Sequence, residues 1–313
     1  MSITNSAVIE IANRYGFELV GFSAAEVLVK EGEKLKSWLG NNYNASMDYM
    51  HENFEKRIDV NELFPGAVTV ISLGMNYYKP YEHTENPGLG KISRYAWGMD
   101  YHQVIWKKLD AMILELKAID SNFDAKGFVD SAPTMDKVWA MKGGLGWMGK
   151  NTNVINRYQG SWFFIATLVT NYPFELSTSA ADLCGECTAC IDACPTNAFI
   201  APYILDANKC ISYQTIENKV EIDENLIGKF DNWIFGCDIC QDVCPWNIKF
   251  ATASNEQAFE PRNGEVEINL ETVKEMTDEE FKVRFRSSPI KRTKLAGLMR
   301  NAEFLQKAGS RPS

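Results

Sequence analysis

The sequence predicts an α/β protein in three parts: a larger α/β domain over residues 1–175, a cysteine-rich module over 176–254 and a short, basic helical segment over 255–313. Three observations carry this expectation. Helix-period and strand-like apolar patterns alternate through the first half of the chain. All eight cysteines lie between residues 184 and 244. Residues 281–313 hold nine Lys or Arg against one acid, Glu303, in a chain whose net charge is −9.

The elements follow in order. Residues 3–15 space their apolar side chains as an amphipathic helix, FELVGFSAA (17–25) reads as a strand, and residues 27–39 form a second helix. AVTVISLGMNY (67–77) is a buried strand, and residues 101–118 are a helix with apolar spacing. AKGFVD (125–130) is a short strand that enters a helix after Pro133. NTNVINRY and SWFFIATLVTN, separated by Gln159 and Gly160, predict a hairpin that closes the sheet. From Ser177 long apolar runs become scarce, so metal is expected to supply cohesion there. Residues 255–275 read as an acidic loop. Thr277 with Glu280 then forms a capping-box signature for a helix carrying Phe281 and Phe285.

Composition excludes several classes. With 313 residues and 45% hydrophobic content the chain can bury a full core. It has neither a basic segment leading an apolar run at its start nor a stretch near the ~18 apolar residues of a membrane span. A cytoplasmic protein without a membrane partner is expected. An acidic total argues against gripping nucleic acid with the whole surface, whereas the +8 of residues 281–313 against −17 elsewhere leaves room for a local footprint.

The cysteine pattern carries the chemistry. CGECTACIDACP (184–195) reads C-x-x-C-x-x-C-x-x-x-C-P, the spacing by which bacterial ferredoxins wrap three thiolates round one 4Fe-4S cube and send the fourth to a neighbour. The pattern nearly recurs through Cys237, Cys240, Cys244 and Pro245, with Ile234 where its first cysteine should stand. Cys210 is the one cysteine left to fill that vacancy. Exchanged fourth ligands then give one cluster on Cys184, Cys187, Cys190 and Cys244, and the other on Cys194, Cys210, Cys237 and Cys240. The module is thus a two-cluster ferredoxin-like domain. Two Cys-Pro endings favour this over paired zinc knuckles, and a chain without an export signal favours it over disulfides.

Four strings, ISRYAWGMDYH (92–102), VDSAPTMDKVWAMKGGLGWMGKN (129–151), CISYQTIE (210–217) and SSPIKRTKLAGLMRNA (287–302), resemble those of the epoxyqueuosine reductases, and with the cysteine region the resemblance spans nearly the whole chain. It implies a cobalamin-binding α/β domain akin to reductive dehalogenases ahead of the two-cluster domain. It also implies reduction of the epoxide of epoxyqueuosine in tRNA to queuosine, the last step of queuosine biosynthesis. Electrons from a donor such as a ferredoxin or flavodoxin would pass through both clusters to cobalt while an acid protonates the departing oxygen. The alternatives are another cobalamin and iron-sulfur reductase of dehalogenase type, or an iron-sulfur electron-transfer subunit.

Single residues carry paired readings. GLGWMG (144–149) matches G-x-G-x-x-G but follows a helix and opens into a strand, the reverse of a dinucleotide site. It is a helix cap and turn; by resemblance it lies, with Lys150 and Asn151, against the corrinoid. Asp130 is either the N-cap of the following helix or, by resemblance, the proton donor, and it also faces the cofactor. Arg57 by default is a solvated surface charge; by resemblance it and Ser212 lie near cofactor or substrate. None of His51, His83 and His102 sits in a D-x-H-x-x-G string, so no histidine is expected to ligate cobalt. Lys291, Arg292, Lys294 and Arg300 are the candidate phosphate contacts to tRNA.

Overall fold

The computed structural model describes residues 2–309. The first half is built round a four-stranded sheet. Its elements are α1 (Asn5–Arg14), β1 (Leu19–Ala24), α2 (Val29–Gly40), α3 (Phe54–Ile58), β2 (Thr69–Asn76), β3 (Leu89–Ile92), α4 (Tyr101–Ile119), β4 (Ala125–Phe128), α5 (Asp136–Lys142), β5 (Trp147–Met148), β6 (Val154–Ile155) and β7 (Phe163–Thr170). The sheet order is β1-β2-β7-β4 with every neighbouring pair antiparallel. Side chains alternate across a strand, so β2 sends Ile71, Leu73 and Met75 to a core shared with α1 and α4. It sends Val70 to a second core with Trp139 of α5. Both faces are covered, and all eight residues of β2 are buried, which is why it reads as an unbroken apolar run.

Two expectations are corrected here. β7 does not pair back on the preceding segment as a hairpin. It pairs with β2 over its whole length and with β4 over Thr167–Thr170, while β6 pairs with β5 and a lone bridge joins Asn156 to Gly160. The eight-residue apolar β7 matches the length of β2, and a two-residue strand could not satisfy that edge. Nor does α5 start at Asp130: Met135 precedes its first turn, and Asp130 sits five residues earlier in the loop after β4. The helix end does behave as expected. Gly143 caps α5 and Gly144 takes φ +78°, and a Cβ on Gly21 of β1 would meet the Gly143 carbonyl at 1.8 Å.

The second half comprises α6 (Ala189–Asp192), β8 (Phe199–Ala201), β9 (Ile204–Leu205), α7 (Ile211–Ile216), β10 (Trp233–Phe235), α8 (Ile239–Asp242), α9 (Pro245–Phe250), β11 (Glu267–Asn269), α10 (Leu270–Glu275), α11 (Asp278–Arg284) and α12 (Lys294–Gly309). β10, β3 and β11 form a three-stranded sheet under α10, α11 and α12. This apolar core includes Phe230, Trp233, Ile234, Phe235, Phe281 and Phe285, so metal is not the sole source of cohesion. Residues 267–275 are strand and helix where a loop was expected. Thr277 and Glu280 form the capping box. The halves interlock: β3 joins the second core and Phe259 joins the first. Among the described residues no helix is long and apolar enough to cross a membrane.

Candidate active site and cysteine centres

None of the eight cysteines is in a disulfide. Cys184, Cys187, Cys190 and Cys244 line one cavity of about 370 Å³, together with Lys150, Asn151, Trp246 and Phe250. Among the described residues no three His, Cys, Asp or Glu side chains close on a point the size of one metal ion. Thiols standing round a cavity suit a cluster of several atoms instead. Burial, then the charges of Cys244, Cys184 and Cys187, pushes the Cys190 thiol up to about 11. Burial also raises Cys244, and a bound array of iron cations would favour the thiolate forms.

The other four also face one another. Burial, then Cys210, raises Cys240 well above the usual thiol range; Cys190 and Cys194 add to it. Burial, then Cys240, does the same to Cys237. The two fourth members share one local geometry. Cys210 caps α7 and Cys244 caps α9, both at φ −70° and ψ 122°. Burial raises both thiols, partly offset by backbone N–H groups donated from the next helical turn. Ile234, at the position of the missing cysteine, is wholly buried in β10, and its carbonyl accepts from Asn301 Nδ2 at 2.9 Å.

The loops carrying these thiols are pinned from the first half. Lys150 Nζ donates to the carbonyls of Gly185 (2.7 Å) and Cys187 (2.9 Å), Asn151 Nδ2 donates to the Cys240 carbonyl (3.0 Å), and Trp147 Nε1 donates to Cys184 Sγ (3.4 Å). Lys150 and Asn151 therefore hold cysteine loops, one in each set. Ser93 Oγ donates to Asp238 Oδ1 at 2.5 Å, and Arg94 bonds both Asp238 and Asp242, its guanidinium packed on Tyr78, Trp97 and Trp162. Spacing arguments missed Trp147, Ser93 and Arg94, although two of them stand in ISRYAWGMDYH.

Asp130 lies on the loop between β4 and α5 at φ +46°, a left-handed backbone that aspartate tolerates better than most residues but that still stores strain. Its side chain is 74% exposed. Tyr101 Oη donates to Asp130 Oδ2 at 2.7 Å, and the Tyr101 ring stacks on Phe164. Met135, not Asp130, is the N-cap of α5, and among the described residues no helix N–H binds the Asp130 carboxylate, so the capping reading is overturned.

Lys137 is the second residue of α5 and was not singled out from sequence. Burial lowers its pKa, while its Nζ donates to the Thr152 carbonyl (2.9 Å) and to Asn153 Oδ1 (3.2 Å), and the charges of Cys240, Asp130 and Cys210 favour its ammonium form. Arg57 is buried, not solvated. Its Nη2 donates to the Tyr49 carbonyl at 2.8 Å, and its Nε has no partner among the described residues. Ser212 is half-buried in α7, two residues after Cys210.

The basic segment divides. Lys291 Nζ bonds Asp100 Oδ2 (2.7 Å), Arg292 makes a two-pronged pair with Glu217 (2.9 and 3.1 Å), and Lys294 is exposed. Arg300 is different. Its guanidinium donates to the carbonyls of Gln214, Asn218 and Val220, so it fastens α12 to the end of α7. Lys219 joins the cluster; burial, then Arg292, Arg300 and Lys294, lowers its pKa against the opposing pull of Glu217.

Comparison with known proteins agrees with this layout. A family profile described as a 4Fe-4S double cluster binding domain matches residues 183–247, and one described as epoxyqueuosine reductase QueG matches residues 57–131. The chain is 46% identical to the epoxyqueuosine reductase of Cellulophaga algicola over 94% of its length and 95% of that protein's. It is 48% identical to that of Leadbetterella byssophila over 94% and 96%. A crystal structure of epoxyqueuosine reductase with a tRNA-Tyr epoxyqueuosine-modified stem loop superposes with a TM-score of 0.90 at 28% identity, covering 97% of this chain and 80% of that one. The Bacillus subtilis enzyme, with its aspartate catalytic loop swung out of the active site, gives the same TM-score and identity, covering 97% and 81%. With close to half of its residues shared over almost the full length of both chains, this protein belongs to the epoxyqueuosine reductase family.

Proposed function

We propose that this chain reduces the epoxide of epoxyqueuosine in tRNA to the alkene of queuosine, consuming two electrons and two protons and releasing water. The observation that carries the reading is an exposed carboxyl, Asp130, held by Tyr101 Oη at 2.7 Å, in a chain whose eight free cysteines include four that line one cavity. Cys184, Cys187, Cys190 and Cys244 are the proposed ligands of one 4Fe-4S cluster, and Cys194, Cys210, Cys237 and Cys240 of the other. Arg57, Asp130 and Ser212 are proposed to face the cobalamin, and the unpartnered Arg57 Nε is a buried donor such a group could satisfy. Lys150 and Asn151 are proposed to act one step back, by holding the cysteine loops.

When bound, cobalamin supplies the low-valent reductant for C–O cleavage, fed through the clusters. The chain supplies the rest. Asp130 gives a proton to the oxygen as the bond opens, which spares the reaction a free alkoxide. Tyr101 fixes one carboxyl oxygen so that the other can face the substrate. Lys291, Arg292 and Lys294, with Lys219, are proposed to meet tRNA phosphates, while Arg300 secures the helix that presents them. In this reading residues 1–175 hold cobalamin, 176–254 the clusters and 255–313 part of the tRNA surface, in a cytoplasmic enzyme served by a ferredoxin or flavodoxin. The test is anaerobic reconstitution with iron, sulfide and cobalamin, then mass spectrometry of a modified stem loop under reductant. Conversion to queuosine is expected; stoichiometric cobalamin without conversion would reject the substrate.

A further inference from the structure

The reaction proposed above needs two protons per turnover, one to open the epoxide and one to release the hydroxyl as water, whereas a carboxyl group carries one. Something must reload Asp130 while the opened intermediate still covers it. The groups facing Asp130 narrow the choice. Tyr101 touches it, but burial and then the Asp130 charge hold the Tyr101 phenol well above its ordinary pKa, so it stays protonated. Asp136 is locked by hydroxyl donors from Thr134 and Thr167, and the Lys137 ammonium is held by the Thr152 carbonyl and Asn153 Oδ1. His102 remains. Its Nε2 lies 4.0 Å from Asp130 Oδ2, one water or a small loop adjustment from contact.

We propose that His102 is the residue that reprotonates Asp130, carrying the second proton of each turnover through Nε2 while Asp100 holds its Nδ1. Asp100 Oδ1 accepts from His102 Nδ1 at 2.7 Å, which leaves Nε2 as the exchanging atom. Asp100 is itself anchored: it precedes α4, its backbone N–H donates to the Ser287 carbonyl, and its Oδ2 binds Lys291 Nζ at 2.7 Å. Burial raises the Asp100 carboxyl, but His102 and Lys291 outweigh it and bring the group down to about 2, so a permanent anion backs the imidazole. The charged and titratable groups round His102 are thus Asp100 and, behind it, Lys291, then Asp130 across the loop and Tyr101 on its own helix; the Trp106 ring completes the wall. With 28% of its side chain exposed, His102 can itself refill from solvent. It acts through Asp130 and is a positioning and relay residue.

The inference rests on the reading of function above, and the test separates the two. His102→Gln and His102→Gly chains, loaded with both clusters and cobalamin, are compared with the wild type on the modified stem loop. If the wild type converts nothing, the functional reading fails. If it converts, both variants should lose roughly 10- to 100-fold in kcat with KM for the stem loop unchanged. Added imidazole should then restore the glycine variant in proportion to its concentration. Wild-type turnover in the glutamine variant, or a glycine variant that loads its cofactors and ignores imidazole, overturns the relay. Should the glycine variant fail to load, the glutamine variant decides through its kinetic constants: a fall in kcat with KM unchanged supports His102, and an unchanged kcat rejects it.

Discussion

The two cysteine sets are built alike and placed differently. Each takes a C-x-x-C pair leading into a four-residue helix, and each receives one thiol from the N-cap of a six-residue helix. Yet the first opens on the surface, with Cys187 exposed beside a cavity, whereas no cysteine of the second is exposed. Burial holds Cys237 and Cys240 well above the thiol range, against about 11 for Cys190. The charges of Cys240 and Cys210 also act on Lys137, as does that of Asp130. Equal motifs in unequal surroundings suit a directed wire, taking electrons at the open set and delivering them from the enclosed one.

The sharpest way to break this comparison is Cys210→Ala. With Cys210 as the proposed replacement for the thiol missing at Ile234, iron should fall from about eight to about four per chain and turnover should vanish, while the spectrum of the open cluster persists. Iron analysis with Mössbauer or EPR spectroscopy reads both, and retention of all the iron would remove Cys210 from the ligand set. Asp130→Asn should leave both clusters in place and slow single turnover about 10² to 10⁴-fold. A near-normal rate would move the proton source elsewhere.

Asp136 gives a smaller effect, read from the fold. Burial, against hydroxyl donors from Thr167 and Thr134, raises its carboxyl to about 6 from an unfolded value of 3.8. The folded chain then binds the extra proton in that window, so stability falls as pH rises from 3.8 to about 6, by roughly 3 kcal/mol at one pKa unit per 1.36 kcal/mol. Asp136→Asn should flatten this slope in urea denaturation of the cofactor-free chain; an unchanged slope would show that Asp136 is not its source. The smallest effect belongs to the tail. Replacing Lys291, Arg292 and Lys294 with alanine should reduce the salt dependence of stem-loop binding by roughly 0.7 to 0.9 per lost phosphate contact, and an undiminished slope would place the footprint elsewhere.

What was legible in the sequence is what local chemistry dictates. The cysteine spacing, the vacancy at Ile234, the buried run of β2, the turn after α5 and the Thr277 capping box all depend on neighbours within a few residues. Each is found at those positions in the structure. Other features depended on partners far along the chain. β7 could have closed a hairpin by its turn residues, but pairing with the equally long β2 satisfied eight residues of backbone where β6 offered two. Arg57 read as a surface charge and Arg300 as a phosphate contact; packing drew the first inside, on the Tyr49 carbonyl, and distant carbonyls spent the second on α7. Asp130 looked like a cap, but α5 begins only at Asp136; Lys137 was not singled out, and His102 was weighed only as a cobalt ligand and set aside. A sequence specifies donors and acceptors, but which of them meet is settled by the strands and helices that carry them. For Asp130, His102 and Cys210 that meeting is made by tertiary packing alone.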